Sequence, residues 1–163
     1  MEPCPPGGVF FVARRIQPDK TQRDSHERSI DGQEDLQEDA QRKGLTLHKP
    51  KTNSYGTIQA DEQRVTQIIH NLLSNAIKYS DKGDIWLSVE TADIDNKAYC
   101  ALSVKDTGKG IREEDLKKLF TRFEQINQDT KYIHGYGTGL GLALVDEFTS
   151  LHGGFIDWTS TFG

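Results

Sequence analysis

The stretch DEQRVTQIIHNLLSNAIKYSDKG, which covers residues 61–83, decides the fold of this chain. Its apolar residues recur at steps of three and one, a spacing that places them on one stripe of a helix. They are Val65, Ile68, Ile69, Leu72, Leu73, Ala76 and Ile77. The polar end of the stretch, from Ser80 to the turn-forming Gly83, is typical of a helix stop. The sequence therefore predicts an amphipathic helix over residues 61–80 that buries one face.

Three polar residues share one edge of this predicted helix. At about 100° per residue, Asn71 and Asn75 lie about 40° apart, and Lys78 lies about 20° to the other side of Asn71. A lone asparagine on a helix is most simply a solvated surface residue. Two asparagines and a lysine beside an apolar stripe instead favour a site for phosphate or for a hard metal ion.

Short runs of strand-forming residues on both sides of the helix predict a sheet. Residues 85–90 and 99–105 are joined by a polar loop and are typical of an antiparallel pair. Further strands are predicted at residues 45–47, 55–59 and 155–160, and further helices at residues 112–120 and 140–151.

The segment DTGKGI at residues 106–111 places a carboxylate directly after the second strand of that pair. Its two glycines permit a positive φ or a close approach of the backbone. A carboxylate held at a strand end can accept a hydrogen bond from the amino group of adenine, typically worth about 1.5–3 kcal/mol. The same pattern taken alone is a turn about as often as it is a site.

Residues 135–142 read GYGTGLGL and lead into the helix predicted at residues 140–151. Free backbone N–H groups and the positive end of the helix dipole favour phosphate at such a helix start. A flexible glycine-rich loop is the alternative. The segment fits neither the Gly-x-Gly-x-x-Gly dinucleotide fingerprint nor a Gly-Lys-Ser/Thr P-loop, so Rossmann and P-loop enzymes are excluded.

The composition is that of a soluble globular chain. Of 163 residues, 28% are charged and 34% are apolar, and the formal net charge is −5. The acidic balance argues against nucleic acid as a partner. No apolar run in the N-terminal part approaches the ~20 residues of a membrane helix, so no membrane segment and a cytoplasmic location are expected. The spacing of Cys4 and Cys100 predicts neither a zinc site nor a disulfide framework.

Four motifs follow one another in order: NLLSNAIKYS at 71–80, DTGKGI at 106–111, LFTRFEQ at 119–125 and GTGLGL at 137–142. Together they resemble the nucleotide boxes of sensor histidine kinase catalytic domains, which belong to the GHKL superfamily. The Phe-Glu-Gln variant resembles hybrid kinases in particular. The resemblance implies an α+β fold, a two-layer α/β sandwich of the Bergerat type, in which a mixed, mostly antiparallel sheet is covered on one face by helices.

The resemblance also implies which residues hold ATP and Mg²⁺. Asn75, supported by Asn71, is expected to coordinate Mg²⁺, and Lys78 to meet phosphate oxygens, so that these three are the expected catalytic residues. Asp106 is expected to bind the adenine amino group. The other expected nucleotide contacts are Tyr79, Gly108, Gly110, Ile111, Phe120, Gly137, Thr138, Gly139, Leu140, Gly141 and Leu142. Residues 123–138 are expected to form a mobile lid.

The implied reaction is transfer of the γ-phosphoryl group of ATP to a histidine. The expected partners are a histidine-containing dimerisation domain acting in trans and, downstream, a response-regulator receiver. An interaction module that binds ATP without transferring the phosphoryl group is the alternative. A hydrolase like the type II topoisomerases or heat-shock chaperones is disfavoured, because those relatives place a glutamate where this chain has Asn71.

The sequence departs from the family pattern at both ends. Residues 1–38 are expected to be a disordered arm and residues 39–163 to form the domain, apparently without its last strand, which would leave a sheet edge unpaired. The arm contains Ser25-His26-Glu27, a partial match to the acceptor motif, and we interpret His26 as a solvated residue. His134, in the expected lid, is a weak candidate for a phosphate contact.

Overall fold

The computed structural model describes residues 8–14, 16–17, 34–50, 57–58, 60–94, 96–116 and 140–160. The strands in this part of the chain are β1 (Gly8–Arg14), β2 (Ile16–Gln17), β3 (Leu45–His48), β4 (Thr57–Ile58), β5 (Gly83–Ile94), β6 (Lys97–Asp106) and β7 (Phe155–Thr159). The helices are α1 (Glu34–Arg42), α2 (Glu62–Tyr79), α3 (Glu113–Leu116) and α4 (Gly141–Leu151).

Five of these strands form one mixed sheet in the order β3-β5-β6-β1-β7. Strand β3 runs parallel to β5, and the other neighbours are antiparallel. The long β5–β6 pair brings Leu87 opposite Val104 and Ile85 opposite Asp106. Strands β2 and β4 pair in a separate two-stranded sheet. The expected mixed, mostly antiparallel sheet is confirmed.

Helix α2 follows from its sequence pattern. Asp61 caps its N-terminus by accepting a hydrogen bond from the backbone N–H of Arg64 at 3.1 Å, and the helix ends before Ser80, whose backbone is extended. All seven apolar residues of the predicted stripe are buried. They meet the inward side chains of β5 and β6, of which Ile85 is fully buried. Burial of one such side chain typically contributes about 1.5–3 kcal/mol.

Helices α1 and α4 complete the layer on the same face of the sheet. Leu36 and Ala40, four residues apart on α1, and Val145 of α4 belong to the same buried core as α2. Residues that alternate with the buried ones on β5 point away from the helices, and Trp86 is 36% exposed there. The result is the expected sandwich with helices on one face. No helix in the described part of the chain is long and apolar enough to cross a membrane.

The structure differs from the expected disordered arm at residues 1–38. Gly8–Arg14 forms the strand between β6 and β7, and α1 begins at Glu34. The apolar, β-branched and aromatic run GVFFVAR suits a strand whose hydrogen bonds are taken up on both sides. In the described residues β7 pairs with β1 on one side and is the last strand of the sheet, so its outer edge is the sheet edge. Residues 1–7, 15 and 18–33, which include His26, and residues 161–163 lie outside the described ranges.

Candidate functional site

Helix α2 carries its two asparagines against the start of α4. The side-chain amide of Asn71 donates a hydrogen bond from Nδ2 to the backbone carbonyl of Gly141 at 3.3 Å. A Cβ atom added at Gly141 would lie 3.7 Å from Asn71 Oδ1 and 3.9 Å from Asn75 Nδ2. The asparagine edge predicted from spacing therefore faces the first turn of α4.

The N-terminus of α4 is suited to an anion. Leu140 occupies the cap position and makes no side-chain capping hydrogen bond. The first backbone N–H groups of a helix have no partner within the helix, and they lie at the positive end of its dipole. Leu142 packs against the hydrophobic core, so its side chain anchors the helix. The nucleotide contact that the resemblance implied for Leu142 stays a prediction.

The last turn of α2 holds Lys78 and Tyr79. The ammonium group of Lys78 lies 5.2 Å from the centre of the Tyr79 ring, and Tyr79 is 38% exposed. Lys43, between α1 and β3, donates hydrogen bonds from Nζ to the carbonyls of Ile77 at 2.8 Å and Lys78 at 3.0 Å. A cation at the negative end of the dipole stabilises this turn. Lys43 was not predicted, because its contact spans 34 residues of sequence.

Asp106 is the last residue of β6 and lies near the C-terminal end of α2. Its Oδ1 atom accepts a hydrogen bond from the backbone N–H of Gly108 at 2.8 Å. Burial raises the pKa of this carboxyl above the usual value, and the hydrogen bond from the backbone N–H of Gly108 lowers the pKa in part. A partly buried carboxyl at a strand end is suited to accept hydrogen bonds from a ligand.

Both glycines of the DTGKGI segment are required by the backbone. A Cβ atom at Gly108 would lie 2.7 Å from Asp106 Oδ1 and 2.9 Å from the carbonyl oxygen of Tyr79, closer than side chains tolerate. Gly110 has a φ of 70°, in the left-handed region that favours glycine. The close backbone approach predicted here is therefore present.

Thr107 and Ser160 fasten the same segment to its surroundings. Thr107 Oγ1 accepts a hydrogen bond from the backbone N–H of Asp84 at 3.0 Å, and Ser160 Oγ accepts one from the N–H of Ile111 at 2.8 Å. Neither residue was predicted as part of the site. Thr107 lies within the DTGKGI motif, so the sequence pointed to it more directly than to Ser160. Nothing local to residues 155–160 indicated Ser160.

The remaining expected site residues cannot be compared with the structure. Phe120, Gly137, Thr138 and Gly139 lie outside the described ranges, together with the lid at residues 123–138, which includes His134. Their assignments stay predictions. The described residues nevertheless bring together Asn71, Asn75 and the start of α4 at one place. They bring Asp106, Gly108 and the end of α2 together at another.

Residues 60–163 match the family of histidine kinase-, DNA gyrase B- and HSP90-like ATPases. The chain belongs to this family. With the fold and motifs described above, it is an ATP-binding catalytic domain of the sensor histidine kinase type.

Individual relatives agree with that membership. This catalytic domain is 41% identical over 129 residues to an uncharacterised sensor-like histidine kinase of Rhizobium meliloti strain 1021, covering 78% of the chain and 24% of the relative. It is 39% identical over 120 residues to the circadian input-output histidine kinase CikA of Synechococcus elongatus, covering 73% of the chain and 15% of the relative. The domain thus spans a quarter or less of the length of these relatives.

Solved structures show the same fold. The crystal structure of full-length ShkA in complex with AMPPNP superposes with a TM-score of 0.59 at 28% identity, covering 84% of the chain and 26% of ShkA. The catalytic domain of histidine kinase ThkA superposes with a TM-score of 0.52 at 21% identity, covering 76% of each chain. The second likeness bears on the fold alone.

Proposed function

We propose that this domain binds ATP together with Mg²⁺ and transfers the γ-phosphoryl group to a histidine of another domain or chain. One observation carries the proposal: α2 places Asn71 and Asn75 against the start of α4, and its C-terminal end against Asp106 and Gly108. At about 1.5 Å per residue, Asn71 lies about 13 Å along α2 from Ser80 at its C-terminal end, and Asn75 lies about 7 Å from it. This separation suits a nucleoside triphosphate that lies along the helix.

The base would bind at the Asp106 end. The Gly108 N–H engages Oδ1, and a carboxylate has further lone pairs with which to accept a hydrogen bond from the adenine amino group. The backbone carbonyl of Tyr79 lies beside Gly108, and the partly exposed ring of Tyr79 would offer a face to the purine. Ile111 is half-buried in the segment that follows and would line the same slot.

The phosphates would lie at the other end, between α2 and α4. The N–H groups at the start of α4 supply positive potential there, and the long side chain of Lys78 would reach phosphate oxygens from the last turn of α2. In the transfer step, the lone pair of a neutral imidazole nitrogen forms a bond to the γ-phosphorus while the bond to the β–γ bridging oxygen breaks and ADP leaves. Positioning and charge neutralisation account for most of such catalysis.

The residues present fit a Mg²⁺ ion that is held largely by the nucleotide. The described part of the chain has no cluster of three or more His, Cys, Asp or Glu side chains able to hold a metal by themselves. The amide oxygens of Asn75 and Asn71 are hard ligands, and Mg²⁺ is commonly bound by one or two protein oxygens plus phosphates and water. The ion would neutralise charge on the phosphates.

The phosphoryl acceptor and the receiver belong to the proposal as well. A histidine on a dimerisation domain, supplied by another domain or chain, would receive the phosphoryl group, and a response-regulator receiver would take it on. The support comes from the family, since the relatives that this chain matches are sensor histidine kinases much longer than the matched region.

Calorimetric titration of the full chain with a non-hydrolysable ATP analogue, with and without Mg²⁺, tests the binding step. Saturable binding that Mg²⁺ strengthens is expected, and Asn75→Ala should remove the Mg²⁺ dependence while the fold remains. Equal enhancement by Mg²⁺ in Asn75→Ala would remove Asn75 from the metal site.

Transfer is tested separately with γ-labelled ATP and an isolated dimerisation domain of a histidine kinase. Label on that domain, absent when its acceptor histidine is replaced by alanine, supports the kinase proposal. Binding without any transfer to the domains tested would instead favour an ATP-binding interaction module.

A further inference from the structure

Ser80 has a buried hydroxyl group without a hydrogen-bond partner among the described residues. It follows the last residue of α2, and its backbone N–H closes the helix by donating to the Ala76 carbonyl at 3.1 Å. The side chain is fully buried, yet Oγ has no hydrogen-bond partner within ordinary distance and angle limits in the described part of the chain. Buried polar side-chain atoms are nearly always hydrogen-bonded, so this hydroxyl requires an explanation.

The Ser80 hydroxyl lies beside the carboxyl proposed to bind adenine. A Cβ atom added at Gly108 would be 3.0 Å from Ser80 Oγ and 2.7 Å from Asp106 Oδ1, which places both oxygens around the same glycine. A rotation of the hydroxyl or a small shift of the carboxylate would suffice to join them.

We propose that Ser80 is a positioning residue for adenine, an inference that rests on the proposed function of the domain. In the nucleotide complex its hydroxyl donates a hydrogen bond to the Asp106 carboxylate. The Gly108 N–H already binds Oδ1. Two donors from the protein then fix the rotation of the carboxylate, and a remaining lone pair is directed at the amino group of adenine.

A purely structural role for Ser80 leads to the opposite expectation for its removal. If the hydroxyl stabilised the free protein, its loss would lower stability. Because it has no partner in the free protein, Ser80→Ala should leave the urea midpoint unchanged or raise it. Loss of affinity without loss of stability distinguishes a positioning residue from a structural one.

The experiment compares ATP with purine riboside triphosphate, which lacks only the amino group. Full-length wild type and Ser80→Ala are titrated with each nucleotide in the presence of Mg²⁺. We expect the dissociation constant for ATP to rise about tenfold in the variant, or ~1.4 kcal/mol. The dissociation constant for purine riboside triphosphate should stay near the wild-type value, because this nucleotide has no amino group for the positioned carboxylate to bind.

Two further variants complete the set. Ser80→Cys keeps the size of the side chain and a weaker donor, and an ATP affinity between wild type and Ser80→Ala is expected. Ser150→Ala, the same change at an exposed position of α4, should match wild type with both nucleotides.

Three results would overturn the inference: unchanged ATP affinity in Ser80→Ala, equal weakening of both nucleotides, or a lowered urea midpoint in the free variant. If wild type binds ATP normally while Ser80→Ala does so equally well, the inference alone fails. If folded wild type binds neither nucleotide, the proposed function fails and the inference fails with it.

Discussion

Asp106 is subject to two opposing effects. Burial raises the pKa of its carboxyl above the usual value of 3.8, and the hydrogen bond from the backbone N–H of Gly108 offsets this only in part. A raised pKa in the folded chain means that the contribution of Asp106 to stability is full below pH 3.8 and is lost as the pH rises through the folded value. At neutral pH the ionised carboxylate therefore costs stability, as is common for binding residues.

Asp106→Asn should separate the two roles of this residue. The amide keeps the shape and an acceptor for the Gly108 N–H, but it carries no charge to bury. We expect the variant at pH 7 to be at least as stable as wild type in urea unfolding. Its ATP affinity should fall about tenfold or more, or ~1.4 kcal/mol, by calorimetry, and Asp106→Ala should lose at least as much affinity.

Asp146→Asn, at an exposed position of α4, is the control and should change neither quantity. Wild-type ATP affinity in both Asp106 variants would remove Asp106 from the adenine site. A large loss of stability in Asp106→Asn would instead make the carboxylate a structural group.

Cys100 gives a second prediction at this scale. Burial raises the pKa of its thiol from 9.0 to about 11. The stability that the neutral thiol contributes is complete below pH 9.0 and is lost as the pH rises to about 11. The loss should reach about 2–3 kcal/mol. Urea unfolding of wild type and Cys100→Ala across this range measures it as the difference between the two, and parallel pH profiles would contradict it.

Sequence spacing identified those site residues whose partners are close in sequence. Asn71 and Asn75 lie on one edge because of the helical period, and Asp106 and Gly108 are two residues apart. Ser80 gave no such signal, because a serine after a helix is most simply a turn residue. Its burial depends on how the end of β6 packs against α2, which is a contact between distant parts of the chain.

At the scale of elements, α2 and α4 are joined at their far ends by His152. Its Nε2 atom accepts a hydrogen bond from the backbone N–H of Asp61 at 3.1 Å, so the ring proton lies on Nδ1, which donates to the Phe148 carbonyl at 2.6 Å. The neutral ring thus connects the C-terminal end of α4 to the N-terminal cap of α2. It holds in register the two helices that carry Gly141 and Asn71.

His152→Ala should lower the free energy of unfolding by about 1–2 kcal/mol, because it leaves the Asp61 N–H and the Phe148 carbonyl without this partner. His152→Gln should recover part of the loss, since its amide oxygen can accept from Asp61. Leu151→Ala is the matched control, because Leu151 is 61% exposed at the same helix end. Urea unfolding measures all three, and equal stability of His152→Ala and Leu151→Ala would contradict the link.

Elements with a long, regular pattern were predicted well. The helix predicted at residues 61–80 is α2, and the strands predicted at 85–90 and 99–105 lie within β5 and β6. Helix α1 was missed because its buried pattern consists of only Leu36 and Ala40 in a polar context. Two apolar positions cannot establish a period, and the core that covers them is formed by other elements.

At the scale of the whole molecule, β1 decides whether the sheet is continuous. It pairs with β6 from Val9 to Arg14 and with β7 from Gly8 to Val12, and it lies between them. The sequence could not predict this, because the position of a strand in a sheet depends on partners far along the chain. From the sequence alone, residues 8–14 are therefore interpreted as part of the disordered arm, together with the polar residues around them.

Phe11→Pro tests whether β1 lies between β6 and β7. A proline within a strand that is paired on both sides removes a ladder hydrogen bond and is not tolerated there, so we expect the free energy of unfolding to fall by at least about 2 kcal/mol. Hydrogen exchange should show loss of protection in β7 before α2. Phe11→Val keeps the N–H and strand propensity and serves as the control.

Deletion of residues 1–17 should have the same consequence, and a peptide of residues 7–15 added in excess should restore protection in β7. The effect would extend to ligand binding: Ser160, directly after β7, accepts the hydrogen bond from Ile111 in the DTGKGI segment. Detachment of β7 should therefore weaken ATP binding although every other site residue is intact. Wild-type protection in β7 in both Phe11→Pro and the deletion would show that β1 does not join β6 to β7 in solution.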